Sequence, residues 1–381
     1  MESLGILAIA TCEAGDGRTA LQAVQRAREL LAGVGADKIE FHHLLIEAYA
    51  FLRMGRQQQA RPLLRRAFAI GRDRGYIFGF AWAPSMLTSL CAEALQAGIE
   101  TQYASHLIQR LGLLPPRGES CENWPWQVKV RIFDGLEVEV EGRPLVFSRK
   151  AQKKPLELLS ALVAEGSPGV DRGLLAQHLW PDSEGDAAES ALRMNLHRLR
   201  KLLRRDEAIV MQDGKVRLND RVAWVDAWVF EAACAELEET GEGESTLGGA
   251  VSMRDRVLKL YRGQAFGREA PLPWMLPARE RWRGKFVAAV ARLGGLEEGR
   301  EDWAGAASSY RRALEADPLT EEMYRRLMRV YLRQGKHAEA YAVYRGCREM
   351  LSIMLGVSPS DETEALRRAV AAHGADGQLM P

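Results

Sequence analysis

Between Leu192 and Arg205 the chain carries six Arg or Lys residues and no acid: Arg193, Arg198, Arg200, Lys201, Arg204 and Arg205. Asn195 and His197 lie among them. Guanidinium groups offer forked donors that match phosphates and the guanine edge, and an Asn amide matches adenine. The chemistry this set suits is recognition of a polyanion by charge and hydrogen bonding, not bond breaking. A solvated helix usually mixes charge signs to gain i,i+4 pairs, and this stretch forgoes them. The ordinary alternative is a basic amphipathic helix with no ligand, so the surroundings decide.

A helix positions these side chains. Leu192, Leu196, Leu199 and Leu203 fall at i, i+4, i+7 and i+11, a single apolar stripe with the cations beside it. Upstream, in WQVKVRIFDGLEVEVEGRPLVFS, the residues Val128, Val130 and Ile132 alternate with charged ones. Leu136, Val138 and Val140 do the same after an Asp134-Gly135 turn, and Glu141-Gly142 provides the next turn. That pattern predicts a small antiparallel sheet. Two helical stretches follow, KKPLELLSALVAEG and RGLLAQHLW, then the basic helix, then AIVMQDGKVRLN, a hairpin turning at Asp213-Gly214. Sheet, three helices and hairpin over residues 125–226 is the layout of a winged helix, whose third helix enters the major groove.

The flanks read as helical repeats. Residues 1–114 contain ALQAVQRARELLAGVG and ARPLLRRAFAIGRDRG, with Gly17, Gly33, Gly55 and Gly75 where turns belong. Hairpins repeating at about forty residues make a short solenoid. PPRGESCENW, residues 115–124, breaks the pattern and reads as a linker. Within residues 227–372, Trp303, Ala306, Tyr310 and Ala313 recur as His337, Ala340, Tyr344 and Cys347, the tetratricopeptide (TPR) period, with Pro318 closing the first unit. These aromatics read as repeat core. Residues 238–249 read as a mobile loop and 373–381 as a frayed tail. The fold class is therefore mainly α with a small β component, TPR-like helical repeats flanking a winged-helix domain.

Composition bounds the function. At 381 residues, 47% hydrophobic and 27% charged, the chain has room for two or three cores. A formal net charge of +1 confines any nucleic-acid affinity to a local patch. Five scattered cysteines without a CxxC pair argue against a disulfide framework or zinc finger and for a reducing cytoplasm. No apolar run approaches a membrane span, and no signal pattern opens the chain, so a cytoplasmic, nucleoid-associated protein is expected. Catalytic motifs are missing. There is no GxxxxGK[ST], GDGRT at residues 15–19 lacks the spacing and the lysine, and HExxH and GxSxG do not occur. His42 and His43 point to opposite sides of any helix. No enzyme activity, cofactor or metal is expected.

The segments FDGLEVEVEGRPL, LLAQHLWPDSE, ALRMNLHRLRKLL and VDAWVFE, with the run DPLTEEMYRRLMRVYLRQGKHAEAYAVYRGCREMLSIMLGVSPSDETEALRRAV, resemble the SARP-type arrangement. That arrangement joins an OmpR/PhoB-like winged helix to a bacterial transcriptional activation domain, and the likeness covers about residues 126–370. The N-terminal repeats, ending in ALQAGIETQYASHLIQRLGLLPP, are similar to the helical-repeat domain of maltose-regulator-type LuxR-family activators. The ATPase that precedes such repeats there is missing here, so the chain reads as a fragment of a longer regulator or a natural truncation. No receiver domain precedes the winged helix, so regulation is expected to enter through the repeats.

The resemblance implies transcription activation by sequence-specific binding of double-stranded DNA. By position, Arg193, Met194, Asn195 and Arg198 would face bases, while His197, Arg200 and Lys201 would lie along phosphates. Arg193 departs from the acid or small residue common in OmpR/PhoB proteins, so sequence preference does not transfer. Lys215 and Arg217 on the hairpin are candidates for minor-groove or backbone contact, with ordinary exposed strand charges as the alternative. Lys150, Lys153 and Lys154, at the start of the first helix, are placed to meet a phosphate. The PDSEGDAAES loop, residues 181–190, carries Asp182, Glu184, Asp186 and Glu189, and in the family it touches RNA polymerase. Ser183 or Asp186 also suits a helix cap there. Further expected partners are a second copy on direct repeats of DNA and a small-molecule or protein effector on the helical repeats. The competing function is a TPR-based interaction scaffold whose winged helix binds protein rather than DNA; the six-to-zero charge count favours DNA.

Overall fold

The structure, a computed structural model, describes residues 2–30, 37–77, 83–116, 121–146, 153–166, 168–183, 185–239, 247–267 and 272–376. It divides into two compact units, residues 1–127 and 128–381.

The N-terminal unit is helical: α1 Glu2–Glu13, α2 Gly17–Leu30, α3 Asp37–Arg53, α4 Gln57–Arg74, α5 Pro84–Gln96 and α6 Thr101–Leu111. Successive helices pack as hairpins around a continuous core that includes Leu45, Tyr49, Leu64, Phe68, Met86 and Leu90. Gly55 and Gly75 end α3 and α4 in the left-handed region, as expected of turn glycines (φ +69° and +66°). Gly17 does not. It opens α2 against Met54, whose Cγ lies 2.6 Å from where a Cβ would sit, so it serves close packing. Gly33 falls outside the described residues. The expected linker is only partly irregular chain. Trp124 is 3% exposed and sits in this unit's core, and the Trp126 indole donates to the Cys121 carbonyl at 2.8 Å. Apolar bulk thus anchors residues 121–126 to the repeats.

The second unit opens with β1 Val128–Arg131, β2 Glu137–Val140 and β3 Arg143–Pro144. These pair antiparallel, with Val130 opposite Val138, and the alternating valines face inward. Then come α7 Lys153–Glu165, β4 Val170–Asp171, α8 Arg172–Leu179 and α9 Gly185–Leu203. A 3₁₀ turn, Asp206–Ala208, leads to β5 Ile209–Gln212, β6 Lys215–Leu218 and β7 Ala223–Val225. The strands β4, β6 and β5 form one small sheet, and β7 joins the first sheet parallel to β1. Asp213 and Gly214 both take positive φ, +51° and +75°, the two-residue turn that suits the twist of a hairpin. The expected order of sheet, three helices and hairpin is present.

Helices α10 Asp226–Glu239, α11 Leu247–Leu260, α12 Met275–Glu298, α13 Trp303–Ala316, α14 Glu321–Arg333, α15 His337–Leu355 and α16 Asp361–Asp376 complete the unit. The 34-residue pattern is repeat core: Ala306, Tyr310 and Ala313 on α13 and Ala340, Tyr344 and Cys347 on α15 are all buried. Of the expected 238–249 loop, residues 240–246 lie outside the described set, and 247–249 already belong to α11. Residues 373–376, expected to fray, continue α16.

These C-terminal helices are tied to the first sheet. The buried Asp226 carboxylate accepts backbone N–H groups from Ile132, Phe133 and Ala227 at 2.8 to 3.2 Å. Burial pushes its carboxyl up to about 7, against the three donors that favour the ionised form. Phe133 packs edge-on to Phe230 and Trp282, with centroids 5.4 and 6.0 Å away. Two further bonds hold the end of α7: Trp228 Nε1 donates to the Val163 carbonyl and Arg281 to the Ala164 carbonyl.

Candidate nucleic-acid interface

The local sequence around α9 fixes which residues reach solvent. Leu192, Leu196, Leu199 and Leu203 are at most 2% exposed and fill the space against α7 and α8. Because a helix advances about 100° per residue, the opposite arc must carry residues 190, 193, 194, 197 and 201. It does: Ser190, Arg193, Met194, His197, Arg198 and Lys201 are all exposed. Asp171 starts the supporting α8 by accepting the Gly173 and Leu174 N–H groups at 2.8 and 3.1 Å, a side-chain N-cap.

The outer face of α9 from Arg193 to Arg204 carries cations and no acid. Among the described residues, Arg193, His197, Arg198, Lys201 and Arg204 form no ion pair. Elsewhere many guanidinium groups are matched, Arg28 by Glu47 at 2.9 Å, Arg254 by Glu297 at 2.8 Å and Arg281 by Glu231 at 3.1 Å, although exposed arginines such as Arg329 and Arg345 are not, among the described residues. Arg193 is steadied only by the Ser190 hydroxyl, at 3.3 Å. Ser190 is thus a member of the face that the sequence reading missed. Its position, four residues before Met194, was the available signal.

Burial and internal hydrogen bonds count against two of the expected contacts. Asn195 is 5% exposed, and its Nδ2 donates to the Ala191 carbonyl one turn back at 2.8 Å. It is i+3 from Leu192 and i−4 from Leu199, which puts it on the inner arc, so its amide is not offered to a base. Arg200 is half-buried and donates to the Ile209 carbonyl at 3.2 Å, tying α9 to β5 instead of extending toward a phosphate.

The other expected residues are distributed around α9. Lys215 is exposed at the tip of the hairpin, opposite Gln212 in the register of β5 and β6. Arg217 is half-buried, 3.5 Å from Asp220. Lys153 is exposed at the first turn of α7, with Glu157 3.9 Å away. Lys154 turns inward, donating to the Leu179 carbonyl at 3.0 Å and lying over the Trp180 ring. Lys150 and Glu184 lie outside the described residues.

Acids gather at the other end of α9. Asp182 is exposed just before the helix. The helix starts at Gly185, so Asp186 and Glu189 belong to its first turns and not to a loop. An acid there is favoured by the helix dipole. Glu189 is engaged by Arg172, while Asp186 is exposed. At about 1.5 Å per residue, Asp186 and Arg198 are roughly 18 Å apart along the axis. One helix thus has an acidic beginning and a cationic outer face. Among the described residues no group of three or more His, Cys, Asp or Glu is placed to hold a metal ion, and no helix is long and apolar enough to cross a membrane.

Comparison with known proteins places the C-terminal helices. Residues 225–371 match the bacterial transcriptional activator domain. The chain is 28% identical over 244 residues to Regulatory protein AfsR of Streptomyces griseus, an overlap of 63% of this chain and 24% of that protein. It is 27% identical over 219 residues to Regulatory protein AfsR of Streptomyces coelicolor, covering 56% of this chain and 21% of the relative. The matches thus span about a quarter of the length of these relatives. Among solved structures, Mycobacterium tuberculosis EmbR in complex with low affinity phosphopeptide is similar in fold, with a TM-score of 0.50 and 18% identity over 65% of each chain.

Proposed function

We propose that this chain is a sequence-specific DNA-binding transcription activator of the SARP type, with α9 as its recognition helix in the major groove. The observation that carries this reading is the acid-free outer face of α9 from Arg193 to Arg204, where Arg193, His197, Arg198, Lys201 and Arg204 form no ion pair among the described residues. Unmatched charge of one sign is costly to gather unless a polyanion supplies the counter-charge. In this reading Arg193, Met194 and Arg198 face bases, His197 and Lys201 follow phosphates, and Lys215 reaches the backbone from the hairpin. Asp182 and Asp186, at and before the start of the helix and roughly 18 Å or more from Arg198 along its axis, meet RNA polymerase. The match to the activator domain and the likeness to regulatory proteins support activation as the outcome. The N-terminal repeats are the place for a small-molecule or protein effector. A cytoplasmic site of action, at the bacterial chromosome, follows from the DNA reading.

The test is a binding selection with the full chain on random duplex DNA, followed by salt titration of the selected site. The account expects one enriched sequence, and a log-affinity that falls steeply with log salt, with a slope of roughly −4 or steeper for each bound copy. Failure to enrich any sequence, with binding only to protein partners, would establish the scaffold reading instead.

A further inference from the structure

Met194 is 54% exposed, and among the described residues of α9 it is the one large apolar side chain open to solvent. A lone surface apolar residue is usually unremarkable in energy terms. The position of this one is what matters. Ser190 lies one turn before it, His197 and Arg198 one turn after it, and Arg193 beside it, all exposed and all polar or cationic. An unbranched thioether therefore stands in the middle of a surface otherwise built to donate hydrogen bonds.

In the major groove nearly every feature of a base pair is a donor or an acceptor, and the exception is the C5-methyl of thymine. Set over an amino or carbonyl edge, a methionine strips water from a polar group without replacing its hydrogen bond, which is unfavourable. Set over a methyl, it removes two apolar surfaces from water at once. Its three rotatable bonds and polarisable sulfur let it settle on a small target without strain. We infer that Met194 selects a thymine by packing on its C5-methyl group, with Arg198, one helical turn further on, taking a guanine a base pair or two away. The inference rests on the DNA-reading role proposed for α9.

Deoxyuridine substitution isolates this contact, because it removes the methyl and leaves every hydrogen-bonding group in place. With the full chain and its selected site, each thymine is replaced in turn by deoxyuridine. The expected result is one sensitive thymine in each half-site, weakened roughly fourfold, the value of burying one methyl. Met194→Ala and Met194→Gln, with melting temperatures equal to the parent's, should bind the thymine and deoxyuridine sites alike. Tolerance of deoxyuridine at every position, or unchanged sensitivity in both variants, would overturn the inference while leaving DNA reading intact. Failure of the parent chain to select any sequence overturns the DNA-reading role, and the thymine contact with it.

Discussion

At the scale of single residues, α9 separates side chains that its sequence makes look alike. Asn195 and Arg198 both have the chemistry to pair with a base, but only Arg198 is exposed. Arg198→Ala should therefore weaken binding to the selected site by about 1–3 kcal/mol and relax preference at one base pair. Asn195→Ala should leave DNA affinity within about twofold of the parent while lowering the thermal stability of the chain, since it removes the bond to Ala191. The two substitutions are compared by mobility shift and thermal melting. A larger affinity loss at Asn195 than at Arg198 would mean that the helix presents another face. The cationic set was legible from composition and spacing alone. What was not legible is commitment: Arg200 and Lys154 carry the right charge but spend it on the carbonyls of Ile209 and Leu179, partners whose nearness only the tertiary fold creates.

At the scale of elements, α9 has its acids and its cations at different ends. Asp182 and Asp186 lie at and before its N-terminus, roughly 18 Å from Arg198 along the axis. Acids so placed contribute nothing to phosphate binding. Replacing both with Ala should leave the mobility shift intact and lower transcript yield with purified polymerase. Equal loss of binding and transcription would contradict the division. Most of the elements were readable: the alternating valines of β1 and β2 and the leucine stripe of α9 carry the strand and helix periods, and Asp213-Gly214 carries the turn chemistry of a hairpin. Strand β7 was not readable. Three residues are too few to show a period, and its partner β1 lies almost a hundred residues earlier. The start of α9 was also misplaced, because acidic and small residues suit a loop and a first helical turn equally well.

At the scale of the whole molecule, the sequence does not show how the C-terminal helices attach to the segment that holds α9. The bonds that the Ile132 and Phe133 amides donate to Asp226, and the contact of Phe133 with Phe230 and Trp282, join the C-terminal helices to the first sheet. The expected boundary at 226/227 falls beside this contact between Phe133 and the residues of α10 and α12. The residues involved are individually ordinary, a carboxylate and aromatics, and acquire meaning only when brought together. Joined in this way, a single recognition helix still reads only a few base edges, and one module of this kind buries about 600–1,000 Å² of its surface. Two copies on direct repeats would supply the missing discrimination through effective concentration. The measurement that tests the account most directly is methylation protection at guanine N7, which lies in the major groove, on the selected site with the full chain and its Arg198→Ala variant. The account predicts protected guanines on one face of the duplex, in two clusters about 10 base pairs apart, with one guanine in each cluster exposed again by the substitution. Saturated binding with no guanine protected in the major groove, or with protection unchanged in the variant, would contradict it.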